Sequence, residues 1–156
     1  MPKIDPETAI VRKGSSYPAP HGDACAERTR KRLGDAGGIT DFGVNLLTLP
    51  PGAWSSQRHW HSKEDEFVHV LAGEVMLITD KGEQILRAGD YAAFPKGVAD
   101  GHCIVNRSNA PATLLEAGTR SGDDVCTYSD IDMVIDSKVG WYAHKDGKPY
   151  PPPGTK

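Results

Sequence analysis

The residues of this chain best suited to chemistry lie in His59-Trp60-His61-Ser62-Lys63-Glu64-Asp65-Glu66. Side chains alternate along a strand with period two, so His59 and His61 share a face if the segment is extended. The four residues between His61 and Glu66 leave room for a turn, after which a strand from Phe67 to Leu71 brings the Glu66 carboxylate back beside the imidazoles. Imidazole nitrogen is the donor a divalent transition metal prefers, with carboxylate as a harder, charge-balancing partner. His102, some forty residues on, is expected to supply the fourth ligand. Three neutral histidines and one glutamate leave a divalent ion with a net charge of about +1 and, in octahedral geometry, about two open positions. Such a centre can act as a Lewis acid or bind oxygen.

The neighbouring residues sort by parity and position. Glu64 and Asp65 fall in the turn and read as solvated. His69 has the opposite parity from Glu66 and leaves the metal face. Gln57 shares parity with the histidines, which makes it the candidate substrate contact. Cys103 points away from His102 in a regular strand and reads as a buried, inert thiol. His21 and His144 lie towards the two ends, outside the expected ligand set, and Trp54, Trp60, Trp141 and Tyr142 read as core or interface.

To position these groups the chain offers strands. Phe42 to Leu49 stops at Pro50-Pro51-Gly52. Glu74 to Thr79 turns through Asp80-Lys81-Gly82 into Glu83 to Leu86, and Tyr91 to Phe94 ends at Pro95-Lys96-Gly97. His102 to Asn106, Ala112 to Ala117, Asp124 to Tyr128 and Ile131 to Ile135 continue the rhythm. Strands that recur every eight to twelve residues, with no long helix between them, predict an antiparallel sandwich or barrel. Prolines and glycines break up residues 1–40, which read as an N-terminal arm with a short helical turn over Ala24 to Leu33. Within it the basic run Arg28, Arg30, Lys31, Arg32 reads as a solvated or partner-facing surface. Residues 41–118 form the barrel, and 119–156 supply further strands and an extended, partly mobile tail.

Composition narrows the class. One domain suits 156 residues, and a net charge of -3 gives no basic field for nucleic acid. Residues 1–40 carry seven Lys/Arg against five Asp/Glu, and the remainder eleven against sixteen, so the basic excess is local. Three cysteines with no paired spacing suit a reduced compartment. With no apolar leader and no run of about eighteen apolar residues, a cytoplasmic chain without a membrane partner is expected. Sheet edges and an apolar outer face predict a homodimer.

Two blocks of the sequence resemble the cupin superfamily. Its first motif, G(X)5HXH(X)3-4E(X)6G, is met by Gly52, His59, His61, Glu66 and Gly73, with one extra residue before His59. Its second, G(X)5PXG(X)2H(X)3N, is met by Gly89, Pro95, Gly97, His102 and Asn106, with four residues rather than two before His102. Both departures fall in loops, and the spacer between the motifs resembles that of minimal microbial cupins. The resemblance implies an all-β double-stranded β-helix, or jelly-roll barrel, with extended arms. It also implies that His59, His61, Glu66 and His102 bind one divalent transition metal: Fe, Mn, Ni, Zn or Co. Similar proteins include sugar and sugar-phosphate isomerases and dioxygenases, so the expectation is a metal-dependent enzyme on a small polar molecule. The alternative is a non-catalytic cupin that binds or senses a small ligand.

Overall fold

A computed structural model describes residues 3–152. Its strands are β1 (Val11–Lys13), β2 (Thr29–Arg32), β3 (Phe42–Leu49), β4 (His59–His61), β5 (Glu66–Ala72), β6 (Glu74–Thr79) and β7 (Gly82–Arg87). They continue with β8 (Tyr91–Phe94), β9 (Cys103–Val105), β10 (Ala112–Thr119), β11 (Val125–Tyr128), β12 (Val134–Asp136) and β13 (Tyr142–Ala143). Helix is confined to single turns at Pro6–Thr8, Asp23–Cys25 and Leu33–Ala36 (α1). Among the described residues no helix is long and apolar enough to cross a membrane.

All pairings are antiparallel. A six-stranded sheet runs β1-β2-β3-β10-β5-β8, a four-stranded sheet β13-β12-β11-β4, and a three-stranded sheet β7-β6-β9. The expected all-β jelly roll is thus the observed architecture. Its main core lies between the large sheet and the three-stranded one, where Leu47, Leu49, Val70 and Leu114 meet Val75, Leu77 and Ile104. The first four are fully buried, and each stabilises the fold by about 2 kcal/mol relative to exposure. Strand β5 shows the alternation that makes this possible: Val68 and Val70 turn inward, while Phe67 and Leu71 face out. A second cluster joins Tyr128, Met133, Tyr142 and Tyr150. The C-terminal stretch therefore packs as far as Tyr150, whose hydroxyl donates to the Asp132 carbonyl; residues 153–156, where a mobile tail was also expected, lie outside the described residues.

The basic run departs from expectation. The helical turn stops at Cys25, and Thr29–Arg32 is a strand paired along β3, with Arg30 opposite Leu47 and Lys31 opposite Leu46. Pairing with a partner strand decides this conformation, and local periodicity does not report it. The run is also only partly exposed, and most of it is paired. Arg28 is 7 % exposed, Arg30 holds Glu116 in a bidentate pair at 2.7 and 3.0 Å, Lys31 reaches Glu7, and Arg32 reaches Asp35.

Candidate functional site

Each of the three sheets contributes to one cluster. His59 and His61 sit on β4, held by β11 in a register that sets His61 opposite Cys126 and His59 opposite Tyr128. His102 stands just ahead of β9 and exchanges both backbone hydrogen bonds with His59, at 3.1 and 2.8 Å. Their imidazole centroids come to 4.7 Å. Glu66 opens β5, and its Oε2 is the point of convergence. His102 Nε2 lies 2.9 Å from it, His59 Nε2 3.5 Å and His61 Nε2 3.6 Å.

The far side of each ring determines what the near side presents. His59 Nδ1 lies 2.9 Å from the Gln57 carbonyl, which can only accept, so this nitrogen carries the proton. In this tautomer Nε2 keeps its lone pair, aimed at the cluster. His61 Nδ1 donates to Asp124 Oδ2 at 2.6 Å, and Asp124 also accepts from Ser62 Oγ at 3.1 Å and from the Lys63 amide at 2.7 Å. Phe94 stacks on His102 at 3.6 Å, and His102 Nδ1 is buried without a hydrogen-bond partner. Lone pairs and a carboxylate aimed at one small volume demand a cation there, either a shared proton or a metal. Burial works to raise the pKa of Glu66, but the hydrogen bond from His102 and the neighbouring His59 and His61 imidazoles outweigh it and hold the carboxyl well below its usual range. Burial pushes His102 the other way, below its ordinary value, and favours the neutral ring. His59, Glu66 and His102 are one donor group that could hold a metal; His59, His61 and Cys126 are another.

His59, His61, Glu66 and His102 line a cavity of about 740 Å³ whose wall also carries Ser15, Tyr17, Arg28 and Arg30. A second cavity, of about 430 Å³, approaches His61, Glu66 and His102 from the side of Trp60 and Tyr91. Glu64 lines both, in place of the solvated turn position expected for it. Its Oε1 accepts the Ser121 amide at 2.7 Å, and burial raises its pKa. Asp65, by contrast, is exposed and accepts the Lys96 amide.

Gln57 is placed differently from its expected role. Strand geometry begins only at His59, so parity does not extend to Gln57; its Nε2 donates to the His21 carbonyl at 2.7 Å, and it does not line the larger cavity. His69 alternates away from Glu66 on β5. Cys103 is buried, and burial pushes its thiol up to about 12. Trp60 lines the second cavity, and Trp141 packs beside Tyr142. His21 and His144 both pack against Tyr150. Asp124 and Cys126 lie at His61 without a signal in sequence spacing, and Glu64 and Arg28, both read as surface residues, line the cavity. Only the strand pairing of β11 with β4 brings Asp124 and Cys126 to His61.

A family model described as a cupin domain matches residues 45–118. Over 96% of this chain and 97% of the other, the protein is 47% identical to a cupin-superfamily sugar phosphate isomerase from Silicibacter pomeroyi, with a TM-score of 0.90. The chain belongs to the cupin superfamily. A second cupin structure, from Acidithiobacillus ferrooxidans and named for the same class of activity, is 29% identical over 85% of this chain and 83% of its own, with a TM-score of 0.74. A salicylate 1,2-dioxygenase from Pseudaminobacter salicylatoxidans shares the fold alone, at 17% identity over 58% of this cupin and 26% of the dioxygenase, with a TM-score of 0.51. No curated protein sequence matches the chain.

Proposed function

We propose that this cupin is a metal-dependent isomerase of a small sugar phosphate, with His59, His61, Glu66 and His102 holding one divalent ion. The observation that carries the reading is the convergence of three imidazole Nε2 atoms on one Glu66 oxygen inside a cavity large enough for such a substrate. Similarity along nearly the whole chain to a protein named as a sugar phosphate isomerase supports the reaction class. Bound there, the ion would supply Lewis acidity to the substrate's vicinal oxygens.

The remaining work falls to the chain's own groups. Glu64 faces the cavity beside the cluster without sharing its central point, and serves as the base that takes a proton from one carbon and returns it to the next. Asp124 holds the His61 ring in orientation through Nδ1. Phe94, stacked on His102, keeps that ring from turning and closes the apolar side of the site.

Elemental analysis of the purified protein, paired with a turnover assay on sugar phosphates, tests the reading. Stoichiometric metal and interconversion of an aldose phosphate with its ketose are expected, and His61→Ala should lose both. Stoichiometric metal with no turnover of sugars, sugar phosphates, diketones or catechols would sink the enzyme reading and leave a ligand-binding cupin. The chain is also proposed to form a homodimer. Phe67 and Tyr91 stack on each other across β5 and the edge strand β8, and Tyr91 is 70 % exposed. Light scattering at micromolar concentration should return twice the chain mass.

A further inference from the structure

We infer that Arg28 and Ser15 form an oxyanion subsite in the wall of the metal cavity, built to take the phosphate of a phosphate monoester. The identity of the ligand rests on the sugar-phosphate reading; the existence of the subsite does not.

Arg28 is 7 % exposed, yet among the described residues no carboxylate pairs with it. Its side-chain hydrogen bond runs from Nε to the Gly14 carbonyl at 3.0 Å, a neutral partner. A guanidinium cannot escape burial by losing its proton, so an unpaired one is costly unless an anion arrives. Arg30, two residues on and facing the same cavity, is the contrast, because Glu116 already neutralises it. The groups around Arg28 do not supply the missing charge. Burial raises the pKa values of Tyr17, Cys25 and Tyr142, which leaves them neutral at physiological pH.

Ser15 provides a second, independent observation. Its Oγ is buried without a hydrogen-bond partner, and the residue stands in the wall of the same cavity, one rotamer change from it. The loop that carries it is clamped to Arg28 from both directions, since the Gly14 amide donates to the Arg28 carbonyl at 2.9 Å while Arg28 Nε donates back. Gly14 stands at φ +76, a conformation other residues rarely adopt, at the turn that leads into Ser15. A buried cation and an unused hydroxyl in the wall of one cavity match the planar fork and extra donor that phosphate recognition uses.

Calorimetric titration of inorganic phosphate into the metal-loaded protein is the test, run on the wild type, Ser15→Ala and Arg28→Gln. Phosphate should bind the wild type, Ser15→Ala should weaken it several-fold, and Arg28→Gln should weaken it about tenfold or more. Ser15→Ala removes a hydroxyl that makes no bond in the structure, so its result stands even if Arg28→Gln fails to fold. Phosphate held by the metal alone would bind all three proteins alike, which would overturn the subsite, as would the absence of binding to the wild type. Acetate that displaced phosphate at equal concentration would overturn the assignment to phosphate. Loss of phosphate affinity in both variants of a protein that turns over no sugar phosphate would support the subsite and sink the isomerase reading. Turnover with a KM unchanged by either variant would do the reverse.

Discussion

Asp124 stands behind His61 as a buried carboxylate with three hydrogen bonds to accept and, among the described residues, no Lys or Arg paired with it. Its charge stabilises the polarised ring when Nε2 donates to a metal, and its position fixes the ring's angle. Asp124→Asn keeps an acceptor oxygen but loses the charge, and metal affinity should fall about ten- to a hundredfold; competition with a chelator of known affinity measures this. Glu64 separates by the same kind of change. Glu64→Gln should lower kcat by about 10²- to 10⁴-fold, with the metal content of the same sample unchanged by elemental analysis. A loss of metal would instead recast Glu64 as a ligand, in line with its place beside His61 and Asp124 in a third donor group.

Gly73 shows what the connections between elements must do. It links β5 of the large sheet to β6 of the small one at φ +84, and a Cβ there would lie 2.9 Å from both the Ala112 Cα and the Pro111 carbonyl oxygen. Both are backbone atoms that cannot swing aside. Gly73→Ala should therefore destabilise the fold by about 2–4 kcal/mol, from the left-handed conformation together with the clash, as read by denaturant unfolding. This glycine was legible in the sequence because it closes the histidine motif, and the facing of His59 and His61 was legible because strand parity is local. What was hidden is non-local. Arg28 and Arg30 become cavity residues only because β2 pairs with β3, and Asp124 reaches His61 only because β11 pairs with β4. Gln57 shows the reach of parity, which holds within a strand, while the chain bends just before His59.

At the scale of the molecule, the cluster joins all three sheets. His59 and His61 belong to the four-stranded sheet, Glu66 to the six-stranded, and His102 adjoins β9 of the three-stranded one. A metal held by these residues would tie the sheets together, so its binding free energy becomes folding stability. At a free concentration of about 100 times Kd the gain is about 2.7 kcal/mol, or about 5–10 °C in Tm for a chain of this size. The effect must depend on pH. His102 is depressed below its ordinary 6.5 and Glu66 below its ordinary 4.5. The unfolded chain therefore takes up these protons before the folded one does. Stability from both groups is complete above their ordinary values and drains as pH falls through them, His102 first and Glu66 later. Protons also compete with the metal for the imidazoles once the rings begin to charge. Scanning calorimetry on metal-loaded and chelator-stripped protein should show a Tm difference that is widest near neutral pH and narrows as pH falls below about 6.5. The stripped protein should itself lose Tm over the same descent. A difference that stayed constant from neutral to acid pH would mean that these imidazoles do not hold the metal.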